Sequence, residues 1–139
     1  MPTPSVFCFI DKVAEVKKNE SLTAFFTLKG SEEFLQDHFK GFPVMPGVLL
    51  LESLKQAAQS LLVLSDGEKA PYYRLTRAED VRFGHFVKPD SGLKIFVQQL
   101  AKKGDSVPFE GRIELLGPEG TAGKKALTAR IVLEPVGRF

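Results

Sequence analysis

Apolar and polar residues alternate along most of this chain, and the alternation gives way once, in a long apolar stretch near the middle. Before that stretch, Val6 to Val16 carries Phe7, Phe9, Val13 and Val16. Lys17-Lys18-Asn19-Glu20 then reads as a turn, and Leu22 to Leu28 follows with Phe25, Phe26 and Thr27, so a hairpin is predicted. Gly30-Ser31-Glu32-Glu33 suits the start of one short helical turn through Phe34 and Leu35. From Pro46 to Leu64 there is no proline after the first position and no glycine after Gly47, and Ser65-Asp66-Gly67 ends the run. Proline near the start and glycine past the end bracket a helix, roughly 28 Å long at ~1.5 Å per residue.

On a wheel of ~100° per residue, Leu50, Leu51, Leu54, Ala57, Ala58, Leu61, Leu62 and Leu64 form one broad stripe. The other side carries Glu52, Lys55, Gln56 and Gln59, but also Val48, Leu49 and Val63. A helix this apolar is expected to be buried on most sides. Period two returns in Tyr72 to Val81, Leu93 to Ala101, Phe109 to Leu116 and Ala126 to Glu134, with Gly- and Pro-containing breaks between them. The predicted order is β-β-α-β-β-β-β, with one antiparallel sheet covering one helix. That is an α+β arrangement in a single domain spanning residues 1–139.

Composition narrows the function. Hydrophobic residues make up 43% and charged residues 26%, which suits a globular chain. The net charge of +2, with no lysine cluster longer than the isolated pairs Lys17-Lys18, Lys102-Lys103 and Lys124-Lys125, gives no basic arm for nucleic acid. Cys8, the one cysteine, rules out an internal disulfide and a cysteine zinc cage, and among Val6, Phe7, Phe9 and Ile10 it reads as a small buried thiol. The start MPTPSVFCFID shows no secretory signal pattern and the longest apolar run, Val48 to Leu51, is short, so the expected location is cytoplasmic, without a membrane span.

The chemistry gathers between Glu33 and Val48, a non-repetitive loop with one histidine, two prolines and two glycines that leads into the helix. Pro43 and Pro46 stiffen this approach, and Gly47 lets another group come close to the backbone. Free N–H groups at a helix N-terminus are donors for an oxygen that gains negative charge. His38 precedes these donors and Glu52 follows them by just over one turn. Histidine, donors and carboxylate are the parts needed to move a proton beside a carbonyl. A lone histidine beside a phenylalanine is more often structural, and a carboxylate on the polar side of a helix often only meets solvent. Spacing alone thus suggests a site without establishing it. His85, between strands, reads as structural, and Phe7, Phe9, Phe25 and Phe26 read as core or dimer contacts.

The segment His38-Phe39-x-Gly41-x-Pro43-Val44-Met45-Pro46-Gly47-Val48-Leu49-x-x-Glu52-x-x-x-Gln56 closely resembles the signature of the 3-hydroxyacyl-acyl-carrier-protein dehydratases, the FabZ/FabA group. Phe9-Ile10-Asp11-Lys12-Val13, Val81-Arg82-Phe83 with Val87-x-Pro89, and Phe109-x-Gly111-Arg112 resemble the strands of that family, so the likeness covers roughly residues 7 to 134. It implies a hot-dog fold, in which an antiparallel sheet wraps one long central helix, and a homodimer or trimer of dimers with each active site between two subunits. It further implies His38 from one subunit as base and Glu52 from the helix of the other as acid. The Gly47 N–H would polarise the thioester carbonyl, Val48 would line the substrate site and Gln56 would hold the Glu52 carboxylate. No metal and no bound organic cofactor is implied, and the substrate would ride on the phosphopantetheine arm of an acyl carrier protein.

The residue types suit that reaction. Histidine titrates near neutrality and can take the C2 proton. Glu52 has to carry a proton to donate it to the departing C3 oxygen, and burial among apolar groups, here Val48, Leu49 and phenylalanines of the partner, favours that neutral form. The chain departs from the family at Asp37 and Lys40 beside the histidine motif and at Ser53 and Lys55 on the helix. Gly84-His85-Phe86 replaces a more basic stretch, and the usual Pro-His-Arg-Tyr-Pro segment near the N-terminus is missing. These departures leave room for a specialised lipid, polyketide or pigment pathway. A hot-dog thioesterase and a non-catalytic acyl-binding subunit are the alternative readings.

Overall fold

A computed structural model describes residues 10–27, 47–66, 73–85, 87, 92–116 and 123–136. Their order is β1 (Lys12–Lys17), β2 (Ser21–Thr27), α1 (Gly47–Asp66), β3 (Tyr73–Phe83), β4 (Gly92–Gln99), β5 (Val107–Leu115) and β6 (Lys125–Pro135). This is the order predicted from the sequence. The short helical turn expected after Gly30 lies outside the described residues, as does everything from position 28 to 46.

The six strands form one antiparallel sheet in the order β1-β2-β4-β5-β6-β3. Period two decides which side chains face the helix. Leu93, Ile95 and Val97 of β4 are buried, as are Val107, Phe109, Ile113 and Leu115 of β5 and Leu127, Ala129, Ile131 and Leu133 of β6. Lys94, Gln98, Glu110, Arg112 and Arg130 occupy the alternate positions, where outward side chains keep their charge or amide in water. The β1–β2 turn places Asn19 at φ 63°, a left-handed position that asparagine tolerates better than most residues. The Asn19 N–H donates to Ser65 Oγ over 2.9 Å, which ties this hairpin to the end of the helix.

Leu50, Leu54, Ala57, Ala58, Leu61 and Leu62 bury the predicted stripe of α1 against the sheet. One expectation needs correction. Leu64 is exposed, together with Val48 and Val63, so the helix is not buried on most sides. Ser53 is fully buried instead, because its hydroxyl donates back to the Leu50 carbonyl at 2.7 Å and so brings no unsatisfied group into the core. By length and composition Gly47–Ser65 would be long and apolar enough to cross a membrane. Here its apolar face lies in the sheet's concavity.

Closest approach falls at Gly111 of β5, where a Cβ would come within 2.8 Å of Leu54 Cδ2. The glycine lets the middle of the helix settle onto the sheet, with Leu54 filling the space. Replacing Leu54 by alanine at this fully buried point should cost about 2–5 kcal/mol, through lost transfer energy and the cavity left behind. Thermal unfolding followed by circular dichroism measures it, and a loss below about 1 kcal/mol would mean the core is loosely packed there.

β3 and β1 are the free edges of the sheet. β3 is longer than the predicted Tyr72 to Val81, and two irregularities bend it, between Leu75 and Arg77 and between Glu79 and Arg82. Asp80 sits in the second at φ 52°. Exposed side chains dominate this edge, and bulges together with charge are how an open strand avoids indiscriminate pairing.

Candidate active site

The helix N-terminus opens on Gly47, and its first turn carries no acidic residue. No side chain of that turn therefore competes for the free N–H groups, which keep their attraction for an oxygen that develops charge. β3 runs beside the helix and is tied to it near both ends. At one end the Tyr73 N–H donates to Gln59 Oε1 over 3.1 Å. At the other, the ring of Phe83 lies so close to Gly47 that a Cβ there would meet Cε1 at 2.8 Å and Cζ at 2.9 Å.

Glu52 lies one turn further, on the side of the helix away from the Leu/Ala stripe. Gln56 Nε2 donates to Glu52 Oε2 over 3.1 Å, the i,i+4 contact that helix geometry offers. Lys55 Nζ stands 3.6 Å from the same oxygen. Both cationic and amide donors converge on Oε2, so neither holds Oε1. The Glu52 side chain is 34% exposed and that of Lys55 21%, so solvent weakens the pair without removing it. Val48, expected to help enclose Glu52, is 72% exposed within the chain, whereas Leu49 is partly buried against the core.

Among the sequence-predicted site residues, Gly47, Val48, Glu52 and Gln56 share the first half of α1, while His38 lies outside the described residues. His85 is exposed, and its backbone N–H donates to the Lys125 carbonyl over 3.0 Å. Cys8 also falls outside the described residues. No cluster of three metal-ligating side chains occurs among the described ones. Sequence reading missed the approach of Phe83 to Gly47, although Gly47 had been singled out as a point of close approach.

One helix packed against a six-stranded antiparallel sheet is the hot-dog fold. Solved structures share that fold. A chain of the dehydratase heterocomplex ApeI:P from Xenorhabdus doucetiae superposes with a TM-score of 0.73 at 19% identity, covering 94% of this chain and 84% of that one. A hypothetical thioesterase from Streptococcus pneumoniae, solved with coenzyme A, gives 0.66 at 11% identity, covering 91% and 89%. Fold alone thus does not separate the two chemistries.

Sequence comparison does. A family model described as the FabA-like domain matches residues 1–115. The 3-hydroxyacyl-acyl-carrier-protein dehydratase FabZ of Lactobacillus helveticus is 35% identical over 117 residues, 82% of this chain and 78% of its own. The protein of the same name from Coxiella burnetii is 37% identical over 110 residues, 76% and 77% of the two chains. The chain belongs to the FabA-like family, the dehydratases of the hot-dog fold.

Proposed function

We propose that this chain removes water from a 3-hydroxyacyl thioester carried by acyl carrier protein, in the synthesis of fatty acids or of a related lipid or polyketide. Its single hot-dog domain would work in the cytoplasm as a homodimer or a trimer of dimers. The observation that carries the reading is the line Gly47–Glu52–Gln56 on one helix, with the amide of Gln56 holding the carboxyl of Glu52.

In this reading neutral His38 takes the C2 proton, and the C2 electron pair forms the C2=C3 double bond. The C3–O bond breaks, and Glu52 gives its proton to the leaving hydroxyl, which departs as water. Passage of the proton from His38 to Glu52 restores both groups. The Gly47 N–H receives the thioester oxygen as charge builds on it, the contribution that fixed donors make at a helix start. Gln56 and Lys55 both face Oε2 of Glu52, which supports a carboxyl held in one orientation. Val48 meets solvent in the single chain, which leaves it free to line an acyl site completed by a second subunit.

Turnover of 3-hydroxyacyl thioesters of several lengths, on acyl carrier protein and on coenzyme A, tests the proposal. Formation of the enoyl thioester supports it. Release of free thiol without enoyl product would make the chain a thioesterase, and no turnover without a copurifying partner would make it an acyl-binding subunit. The exposed Val48 and Phe83 side chains near the helix start support a paired assembly, since apolar surface of this kind is covered when subunits associate. Sedimentation at micromolar concentration should find no folded monomer, and a well-folded, active monomer would sink the dimer and the shared site together.

A further inference from the structure

We propose that Phe83 is a positioning residue for the dehydration, its ring pressed on Gly47 to set the direction of the helix-start N–H toward the thioester oxygen. The inference rests on the reading that this N–H receives that oxygen, and it adds a residue from a distant strand to the site.

Three observations converge on Phe83. First, its ring occupies the space that any side chain at position 47 would need, with hypothetical Cβ distances of 2.8, 2.9 and 3.5 Å to three ring carbons. Contacts under 3 Å force something to move, so the glycine and the ring require each other. Second, the chain on the far side of the ring is equally constrained. The Gly84 N–H donates to the Ala126 carbonyl at 2.9 Å, and a Cβ on Gly84 would meet the Lys125 carbonyl oxygen at 2.2 Å. Phe83 therefore projects from backbone held against β6, between two positions that admit only glycine without rearrangement. Third, the ring is 55% exposed despite its size. A phenylalanine serving only the core would be covered. This one has one side on the helix start and leaves apolar surface exposed, as does Val48, the next residue after Gly47, at 72%.

Chemically, an oxyanion donor works only when its N–H is aimed at the place where charge develops. The first peptide of a helix lacks the downstream packing that holds the rest, and Gly47 has no side chain to anchor it. The ring of Phe83, fixed through β3 and β6, supplies that anchor. Displacement of a reacting group by about 1 Å can cost ~10²-fold in rate.

The test is kinetic, on the purified chain. Phe83→Ala should lower kcat roughly ten- to hundredfold, with KM nearly unchanged and with assembly and melting temperature close to wild type. Phe83→Tyr, which keeps the ring, should restore kcat. Gly47→Ala should be strongly impaired, and adding Phe83→Ala to it should raise activity, because the collision is gone. Such non-additivity is not expected of two independent structural lesions. If Phe83→Ala does not fold, Phe83→Leu replaces it, and a folded Leu variant with lowered kcat carries the same conclusion. Wild-type kcat in the folded Ala or Leu variant would overturn the proposal. So would a Gly47→Ala protein that the second substitution fails to improve. Failure of the underlying site reading shows separately, as retained dehydration in His38→Ala.

Discussion

Replacing His38 by alanine should lower dehydration by at least the ~10²–10⁴-fold expected for loss of a general acid–base group, with the fold unchanged. The argument begins from the pair of histidines. The chain has two, and only His38 stands in the segment that leads into the helix start. His85 is exposed at the end of β3, and the contact it makes is through its backbone, to Lys125. Among the described residues, its backbone partner belongs to the β6 side of the sheet and not to the helix start. Steady-state kinetics of His38→Ala and His85→Ala on one 3-hydroxyacyl thioester therefore separate the candidates. Since the imidazole would take the C2 proton, kcat should fall while KM moves little, the pattern of an interaction made mainly in the transition state. Activity that survives His38→Ala and vanishes in His85→Ala would make His85, two residues beyond Phe83, the base instead.

The hydrophobic pattern made the architecture legible because each element keeps one period. In β4 and β5 the alternation is nearly unbroken, and burial follows it residue by residue from Leu93 to Val97 and from Val107 to Leu115. β3 was harder to bound. Thr76-Arg77-Ala78-Glu79-Asp80 offers no apolar alternation, since an edge strand with two irregularities needs little burial to be held by β6. On the helix, residue type alone does not decide burial. Ser53 is buried because helix geometry lets its hydroxyl reach a carbonyl of the preceding turn, which a polarity count does not see. Leu64 is exposed because the stripe drifts off the sheet by the last turn.

Within the site, what was local was readable and what was distant was not. Gln56 meets Glu52 at a spacing any helix imposes, and Lys55 meets it at i,i+3. The approach of Phe83 to Gly47 joins residues from different elements, and no local periodicity encodes it. The trace it left was a glycine at the first position of a helix, where a capping or helix-favouring residue would otherwise serve better. Lys55 changes the picture of Glu52 in another way. Its ammonium stands 3.6 Å from the same carboxyl oxygen that Gln56 holds, and the side chain stays partly open to solvent. In the proposed mechanism a second subunit brings apolar cover to this partly open side of Glu52.

That arrangement leads to the other large expected effect, recovery of activity from two dead proteins. If His38 and Glu52 of one active site come from different subunits, each dimer of His38→Ala has two sites without a base. Each dimer of Glu52→Gln has two sites without an acid. In a mixed dimer one site collects both lesions and the other collects neither. At equal mixing with free exchange, about half the dimers are mixed and each carries one intact site. The mixture should then regain roughly a quarter of wild-type activity if sites act independently. Glu52→Gln suits the experiment because it keeps the size of the side chain and a contact for Gln56, so the helix should hold its packing. Each variant must be nearly inactive alone, and mass spectrometry of differently tagged chains establishes that subunits have exchanged. Complete exchange with no recovery would place both groups in one chain, or the site elsewhere. Glu52 stands away from the Leu/Ala stripe that binds the sheet, partly open, with one carboxyl oxygen committed to Gln56 and Lys55. A neighbour bringing His38 and apolar cover to that side would supply what the lone chain lacks, and returned activity in the mixture is the measurement that shows it.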